Sequence, residues 1–248
     1  MKDDIELIKN RFRELAKRSF DRGIWTESEF LSLAEQDVLL SLNLREPFEL
    51  EGGFAAAERR LAHFGSPEIC GYEEPAPIAC LLIEPVSEKF GEELSHRDYL
   101  GSLMALGIRR EVMGDIAVTG KRAWLFCLDS IGDYIAENLT QVRKTSVKVS
   151  RTEPPELLIA EPPVSEAVVA SERLDALISA VYKLSRSKSA QEIGAGLVYL
   201  NGRLCLSPDK LPEDGTLISV RGTGRFRYEG IARETKKGRL RVMFRKYS

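Results

Sequence analysis

The sequence predicts an α+β protein built from three parts. Helical periodicity dominates residues 1–75, strands and helices alternate over residues 76–150, and a basic segment with a hairpin signal occupies residues 169–248. Between the last two parts, residues 151–168 carry two Pro-Pro pairs and several glutamates, a composition typical of a stiff, exposed linker. At 248 residues the chain is long enough for several small domains.

Residues 1–75 are expected to be mostly helical. An apolar stripe of helical spacing runs from Ile5 to Leu15. Thr26-Glu27-Ser28-Glu29 matches a capping box, in which two side chains satisfy the free backbone donors at a helix start. A helix is therefore predicted from about residue 27 to residue 40. After the break at Gly52-Gly53, residues 54–64 are predicted as a further helix.

Residues 76–150 show the order β-α-β-β-α-β, with Ser95-His96-Arg97-Asp98 as the capping box of the first helix. This is the ferredoxin-like order, which RNA-recognition motifs share with many unrelated proteins. Trp124 and Phe126 lie on one face of the third predicted strand and are candidates for stacking on RNA bases. Aromatic residues in strands more often belong to the core, and we expect that outcome for at least one of the two.

The last eighty residues contain two short helix patterns followed by a hairpin signal. Apolar residues recur at helical spacing between Leu174 and Val181, and Ser185 is suited to cap the second helix. Arg186 and Lys188 would lie near that helix start, where backbone N–H groups favour anions. Asn201-Gly202 between two apolar alternations predicts a type I′ turn, because both central residues of that turn need positive φ.

Charge is distributed unevenly along the chain. Residues 171–248 carry 16 Lys+Arg and 8 Asp+Glu, a net of +8, whereas residues 1–170 carry 20 and 30, a net of −10. The overall net charge of −2 therefore conceals a basic C-terminal part that attracts polyanions and an acidic remainder that discourages indiscriminate binding.

The C-terminal elements, in their order and spacing over residues 171–225, resemble the S-four type RNA-binding domain. The resemblance implies an RNA surface on the helix starts and the adjoining hairpin. Its residues in this chain are Arg173, Ser185, Arg186, Ser187, Lys188, Gln191, Asn201 and Gly202. Arg173 has an alternative structural role beside Asp175, and Asn201-Gly202 has a turn role in any case.

Further basic residues of this part extend the predicted RNA surface. A basic turn follows a predicted strand near Arg221, and arginines alternate with apolar residues after residue 238, so that a strand there would carry three of them on one face. The alternative is a solvated edge strand protected by charge. The additional expected contacts are Lys183, Arg203, Arg221, Arg225, Arg227, Lys236, Lys237, Arg239 and Arg241.

The chain lacks the usual patterns of catalytic, metal and secreted proteins. Its four cysteines form no C-x-x-C pair, and it has only two histidines, His63 and His96, so a zinc site or a histidine-based triad is not predicted. No eighteen-residue apolar stretch and no apolar signal core is present. We therefore expect no cofactor, no small-molecule substrate, no membrane contact and a cytoplasmic location.

Taken whole, the chain resembles the YlmH family of bacterial S-four proteins. The points of resemblance are Gly52-Gly53-Phe54 with Glu58-Arg59, the run from Ser95 through Gly101 to Gly114-Asp115-Ile116, and the C-terminal part. The resemblance implies a non-catalytic protein that binds ribosomal RNA of the large subunit and acts in rescue or quality control of stalled ribosomes, with tRNA as a further candidate partner. An RNA-modifying enzyme of the pseudouridine synthase or methyltransferase type and an adaptor linked to cell division remain the alternatives.

Overall fold

A computed structural model describes residues 2–159, 162–235 and 238–247, and it divides the chain into two units, Met1–Ile159 and Ala160–Ser248. Helices and antiparallel sheets mix in both units, in agreement with the predicted α+β class. Within the described ranges no helix has both the length and the apolar character needed to cross a bilayer.

The first part of the N-terminal unit combines helices with a small sheet. Phe12 and Ala16 of the long first helix pack with Phe64 of the central strand, so this helix covers one face of the sheet. The elements are α1 (Lys2–Arg22), α2 (Leu33–Ser41) and α3 (Pro67–Cys70), with β1 (Thr26–Glu27), β2 (Phe48–Glu51) and β3 (Leu61–Phe64) in the order β1-β3-β2.

The helix predicted from residue 27 begins later than expected. Thr26 pairs with Phe64 in β1, and its hydroxyl donates to the carbonyl of Leu15 at 2.9 Å. The capping box lies instead at Ser32 and Glu35, where the Ser32 N–H donates to the Glu35 carboxylate at 2.7 Å. Residues 26–29 and 32–35 both match the capping-box pattern. Because Thr26 pairs with Phe64 in a strand, the helix begins only after Ser32.

The helix predicted over residues 54–64 is absent, and its last four residues form the buried strand β3. Arg59 holds the preceding segment in an irregular conformation. Its guanidinium donates to the carbonyls of Phe30 and Met113 at 2.7 and 2.9 Å. The Asp115 carboxylate accepts the Arg59 backbone N–H at 3.3 Å. These long-range contacts replace the backbone bonds that a helix would make.

The elements predicted between residues 76 and 150 are present. The Ser95 N–H donates to Asp98 at 2.8 Å in the expected capping box. The last strand, which the sequence predicts over residues 142–149, is divided in two by a turn at Arg143, whose φ is +52°. In chain order they are β4 (Ile78–Pro85), α4 (His96–Ala105), a 3₁₀ turn (Arg110–Val112), β5 (Met113–Thr119), β6 (Arg122–Leu128), α5 (Asp129–Asn138), β7 (Gln141–Val142) and β8 (Thr145–Thr152).

These strands form one antiparallel sheet in the order β5-β6-β4-β8-β7. Leu81 and Leu125 face a core that includes Tyr99 of α4 and Ile135 of α5, so the two helices cover one face. Side chains that alternate with this core set, including Trp124, point to the face opposite α4 and α5, which we call the opposite sheet face.

The predicted linker contains more regular structure than expected. β8 continues to Thr152, a short helix α6 spans Glu156–Ile159, and Val164–Val169 form strand β9. β9 pairs with the last strand of the chain, with Ala167 opposite Val242. The six residues of β9 show no strict alternation of apolar and polar side chains, and the neighbouring prolines further obscure the strand in the sequence.

The C-terminal unit packs two helices on a six-stranded antiparallel sheet. Leu177 and Ile178 of its first helix pack against Ile218, Phe226 and Val242 of the sheet. The remaining elements are α7 (Leu174–Tyr182), α8 (Arg186–Gly194), β10 (Val198–Leu200), β11 (Arg203–Leu204), β12 (Leu217–Val220), β13 (Gly224–Glu234) and β14 (Leu240–Tyr247), in the strand order β11-β10-β12-β13-β14-β9.

Candidate nucleic-acid interface

The start of α8 presents basic and hydroxyl side chains around free backbone donors. Ser185 caps the helix, and its hydroxyl accepts the Lys188 N–H at 3.1 Å. The side chains of Arg186, Ser187 and Lys188 are exposed, and the first turn contains no acidic residue. The positive end of the helix dipole therefore lies among cations, an arrangement suited to binding phosphate.

The turn between α7 and α8 fixes the position of this helix start. Lys183 closes α7 in the left-handed conformation, with φ +55°, and its side chain is exposed. The Ser179 hydroxyl donates to the Leu184 carbonyl at 2.6 Å, and the Leu184 N–H donates to the Ser179 carbonyl at 3.0 Å. We call Lys183, Ser185, Arg186, Ser187 and Lys188 the helix-start surface.

Arg186 also contacts a buried carboxylate, which the sequence analysis did not predict. Its guanidinium donates to both oxygens of Asp175 at 2.8 and 2.7 Å, while Arg173 contacts the same carboxylate at 3.3 and 3.5 Å. The Asp175 side chain is 8% exposed, whereas those of Arg173 and Arg186 are 42% and 50% exposed. Asp175 thus holds part of each guanidinium group in place, and the rest of each arginine side chain is exposed to solvent.

The charge of Asp175 depends on these two arginines. Burial opposes its ionisation, but the hydrogen bonds from Arg186 and Arg173 outweigh burial and place the pKa of the Asp175 carboxyl below its ordinary value. Asp175 therefore stays ionised at neutral pH and anchors both guanidinium groups. The alternative role considered for Arg173, inside the domain's own structure, has direct contacts in its favour.

The predicted type I′ turn has the expected geometry. Asn201 and Gly202 have φ values of +49° and +82° and connect β10 to β11. The Asn201 side-chain oxygen accepts the Leu217 N–H at 2.8 Å, and the Asn201 N–H donates to the Leu217 carbonyl at 2.9 Å. Asn201 thus holds the hairpin to β12, and the exposed Arg203 follows the turn.

The arginines of the last strands are more strongly engaged than predicted. Arg241 donates to Glu166 at 2.7 Å, and Arg245 donates to Glu229 at 3.0 Å. Arg227 lies over the ring of Tyr247 at 5.9 Å. The predicted alternation is present, because Val242 and Phe244 are buried on the other face. β14 lies between β13 and β9 in the sheet, so the alternative of an edge strand protected by charge is wrong. Arg241 and Arg245 instead pair with carboxylates of these two neighbouring strands.

The predicted RNA-contacting residues do not form one patch on the C-terminal sheet. β14 is three strands away from β10, which corresponds to roughly 14 Å. Arg221 and Arg239 are exposed and Gln191 is exposed on α8, whereas Gly202, Arg225 and Arg227 are half-buried. Lys236 and Lys237 lie outside the described residues. The helix-start surface contains five of the predicted residues within positions 183–188.

The two aromatic candidates of the N-terminal unit have different environments. Phe126 is fully buried, its ring centroid lies 4.7 Å from that of Phe54, and a Cβ at Gly53 would come within 2.4 Å of it. A ring in this position cannot stack on a base, so Phe126 is excluded as a stacking candidate, and the expectation that at least one of the two rings belongs to the core is confirmed. Trp124 is half-buried on the opposite sheet face, between Leu82 and Ala117 of the neighbouring strands.

Charges near Trp124 are nearly balanced. Glu84 pairs with both Arg122 and Lys148 at 3.2 Å. The two cations remain 50% and 65% exposed, but Glu84 offsets part of their field. Arg122 also pairs with Glu88 at 3.3 Å, so this face offers an aromatic surface whose nearby charges are balanced, unlike the helix-start surface.

Comparison with known proteins relates the chain to YlmH. Residues 79–156 match the family described as "Putative RNA-binding domain in YlmH". The "Ribosome-associated protein quality control protein P2" of Bacillus subtilis (strain 168) is 29% identical over 221 residues, which cover 88% of this chain and 85% of that relative. The solved "Cell division protein ylmH from Streptococcus pneumoniae" aligns with a TM-score of 0.49 and 16% identity over 62% of this chain and 92% of that one. The family match and the relative confirm the resemblance predicted from the sequence: the chain is YlmH-like.

Proposed function

We propose that this protein binds ribosomal RNA of the large ribosomal subunit without catalytic activity and acts in the quality control of stalled ribosomes. The observation that carries the proposal is the helix-start surface, where exposed Arg186, Ser187 and Lys188 surround the capped start of α8. The name of the Bacillus subtilis relative supports the ribosomal context, and the family match supports RNA as the ligand.

The layout that this function requires is part of the same proposal. We assign a ferredoxin-like domain to residues 76–150 and an S-four domain to residues 169–248, with β9 as an added edge strand of the C-terminal sheet. The strand orders of the two sheets support both architectures. The S-four domain would grip phosphates of structured RNA, since its cations sit on short, hydrogen-bonded supports.

A second RNA surface on the opposite sheet face is supported by the family match over residues 79–156. Trp124 is its candidate stacking residue, because it lies half-buried at the centre of that face. RNA-recognition motifs use the corresponding face of a four-stranded sheet, and stacking there adds contacts to single-stranded bases that the helix-start surface does not supply.

Ribosome co-sedimentation tests the proposed function. The full chain should sediment with large subunits and lose that association after nuclease treatment. The variant Lys183→Gln with Lys188→Gln should lose most of the association, whereas Lys17→Gln with Lys144→Gln, which removes the same charge at exposed positions of the other unit, should retain it.

Two results would contradict the proposal. Nuclease-resistant association would indicate a protein partner and favour the adaptor alternative. Loss of a specific modified nucleotide from ribosomal RNA of a deletion strain, restored by the purified protein, would identify an RNA-modifying enzyme.

A further inference from the structure

The N-terminal unit contains an open cleft of about 830 Å³ that plays no part in the proposed RNA contacts. It lies beside the face of β2 and β3 that α1 does not cover, and the first residues of β4 and the last residues of β8 form its other wall. Its volume is within the range of ligand-binding pockets, roughly 300–1,000 Å³.

One wall of the cleft is a fixed aromatic pair. The rings of Trp25 and His63 stack with centroids 4.5 Å apart and planes inclined by 28°. The Trp25 indole N–H donates to the Tyr72 carbonyl at 3.0 Å, and Gly65 leaves room for the indole, since a Cβ there would lie 2.7 Å from its ring. The indole is thus held in place with part of its surface accessible.

The carboxylates of the lining outnumber its cations. Glu49, Glu51, Glu74, Glu153 and Asp129 line the cleft, and Arg151 is the cation among the described lining residues. Arg151 donates to Asp129 and Asp133 at 2.6 and 2.8 Å, so its charge is already compensated. Burial, together with the neighbouring Glu49, raises the pKa of Glu51 above its ordinary value, which reflects the crowding of negative charge.

His63 provides an observation independent of this acidic lining. It is 4% exposed, yet no hydrogen bond to its ring nitrogens exists within the described parts of the chain. Burial lowers the pKa of His63 although Glu27, Glu74 and Glu49 act in the opposite direction, so the imidazole is neutral at pH 7 and keeps one acceptor nitrogen. An imidazole acceptor without a protein partner at the wall of a cleft is available to a ligand that donates hydrogen bonds.

We propose that this cleft binds an arginine-bearing segment of a basic partner protein. A guanidinium group has five N–H donors and no acceptor, so it matches a lining of carboxylates and a neutral imidazole. Its planar cation also stacks well on an indole face. The same lining repels phosphate, which separates this site from the RNA surfaces of the proposed function.

The test uses the full chain with Trp124→Phe, which leaves Trp25 as the remaining tryptophan and makes its fluorescence a reporter of the cleft. Titration with a peptide of four Arg-Gly repeats should give a saturable change in Trp25 emission, and a peptide of four Glu-Gly repeats should give none. Glu49→Gln with Glu74→Gln should weaken the arginine peptide roughly five- to tenfold, as expected from the loss of two partly exposed ion pairs.

Glu93→Gln with Glu137→Gln is the matched control, because it removes the same charge from exposed positions of the same unit outside the cleft. This variant should bind the arginine peptide as tightly as the parent, and circular dichroism should show that both variants are folded. No saturable change in Trp25 emission, equal weakening by the control variant, or a stronger Trp25 response to a single-stranded RNA would each overturn the proposal.

Discussion

The helix-start surface and the opposite sheet face offer RNA two different kinds of contact. The first groups Lys183, Arg186 and Lys188 around a helix whose first turn has no acidic residue, and of these three cations Asp175 pairs with Arg186. The second sets Trp124 beside cations that Glu84 already pairs with. Binding at the first should depend on salt, since it releases counterions from phosphates, while stacking at the second should depend on salt much less. Measuring RNA affinity at several ionic strengths therefore separates the contributions of the two surfaces.

The second region also shows that two aromatic residues on one strand face can have unrelated roles. Phe126→Ala should destabilise the N-terminal unit by about 3–5 kcal/mol, because it empties a fully buried site against Phe54. Hydrogen exchange of β4 and β6 amides in the full chain measures this destabilisation. Protection equal to that of the parent would show that the ring is not part of the core.

Within the first region, the two basic residues of the α8 start should differ in stability effect. Arg186→Ala should cost the C-terminal unit about 1–3 kcal/mol, because it removes the closest partner of the buried Asp175 carboxylate. Lys188→Ala should change the stability of the C-terminal unit by no more than about 0.5 kcal/mol, since the Lys188 side chain is exposed and only its backbone N–H takes part in the helix cap. Denaturant-dependent exchange of α7 amides compares the two, and equal destabilisation would contradict the anchoring role of Asp175.

Trp124→Ala separates base stacking from packing on the opposite sheet face. If Trp124 stacks, RNA affinity should fall by about 1–3 kcal/mol with little change in the slope of affinity against salt. Filter binding of single-stranded ribosomal RNA fragments at several salt concentrations provides both quantities. Unchanged affinity together with reduced stability would assign Trp124 to the core and rule out the second RNA surface.

The pairing of Asp175 predicts a pH dependence of the C-terminal unit. Its pKa is lower in the folded than in the unfolded protein, so its contribution to stability is present above the ordinary carboxyl value near pH 4. That contribution should disappear as the pH falls from there through the lower, folded value. The stability measured by exchange of α7 amides should depend less on pH in Asp175→Asn than in the parent over this range. An equal pH dependence in both proteins would show that a group other than Asp175 titrates.

Local sequence patterns predicted the elements whose contacts are close in the chain. The capping box at Ser95 and the turn at Asn201-Gly202 form as expected, since their partners lie within a few residues. The same kind of pattern at Thr26 failed because Thr26 pairs with Phe64, a partner that no local rule identifies. The segment around Arg59 likewise follows contacts to residues from about thirty to more than fifty positions away.

The candidate sites show the same limit. Composition and helix signals located the basic residues of the α8 start, but the contact of Arg186 with Asp175 crosses a helix and a turn. One sequence clue to this contact was present, because Asp175 is an acidic residue next to Leu174 in a helix whose apolar spacing predicts burial. The acidic cleft collects residues from several distant segments, so it could be recognised only once the chain was folded.

The central claim is that the helix-start surface grips RNA phosphates, and the slope of affinity against salt tests it most directly. Binding of ribosomal RNA by the full chain should weaken linearly on logarithmic axes as salt increases. Lys183→Gln with Lys188→Gln should reduce the slope by about 0.7–0.9 for each phosphate that the variant no longer neutralises. Lys17→Gln with Lys144→Gln should leave the slope unchanged. An unchanged slope in the first variant, or an equal reduction in both, would contradict the claim.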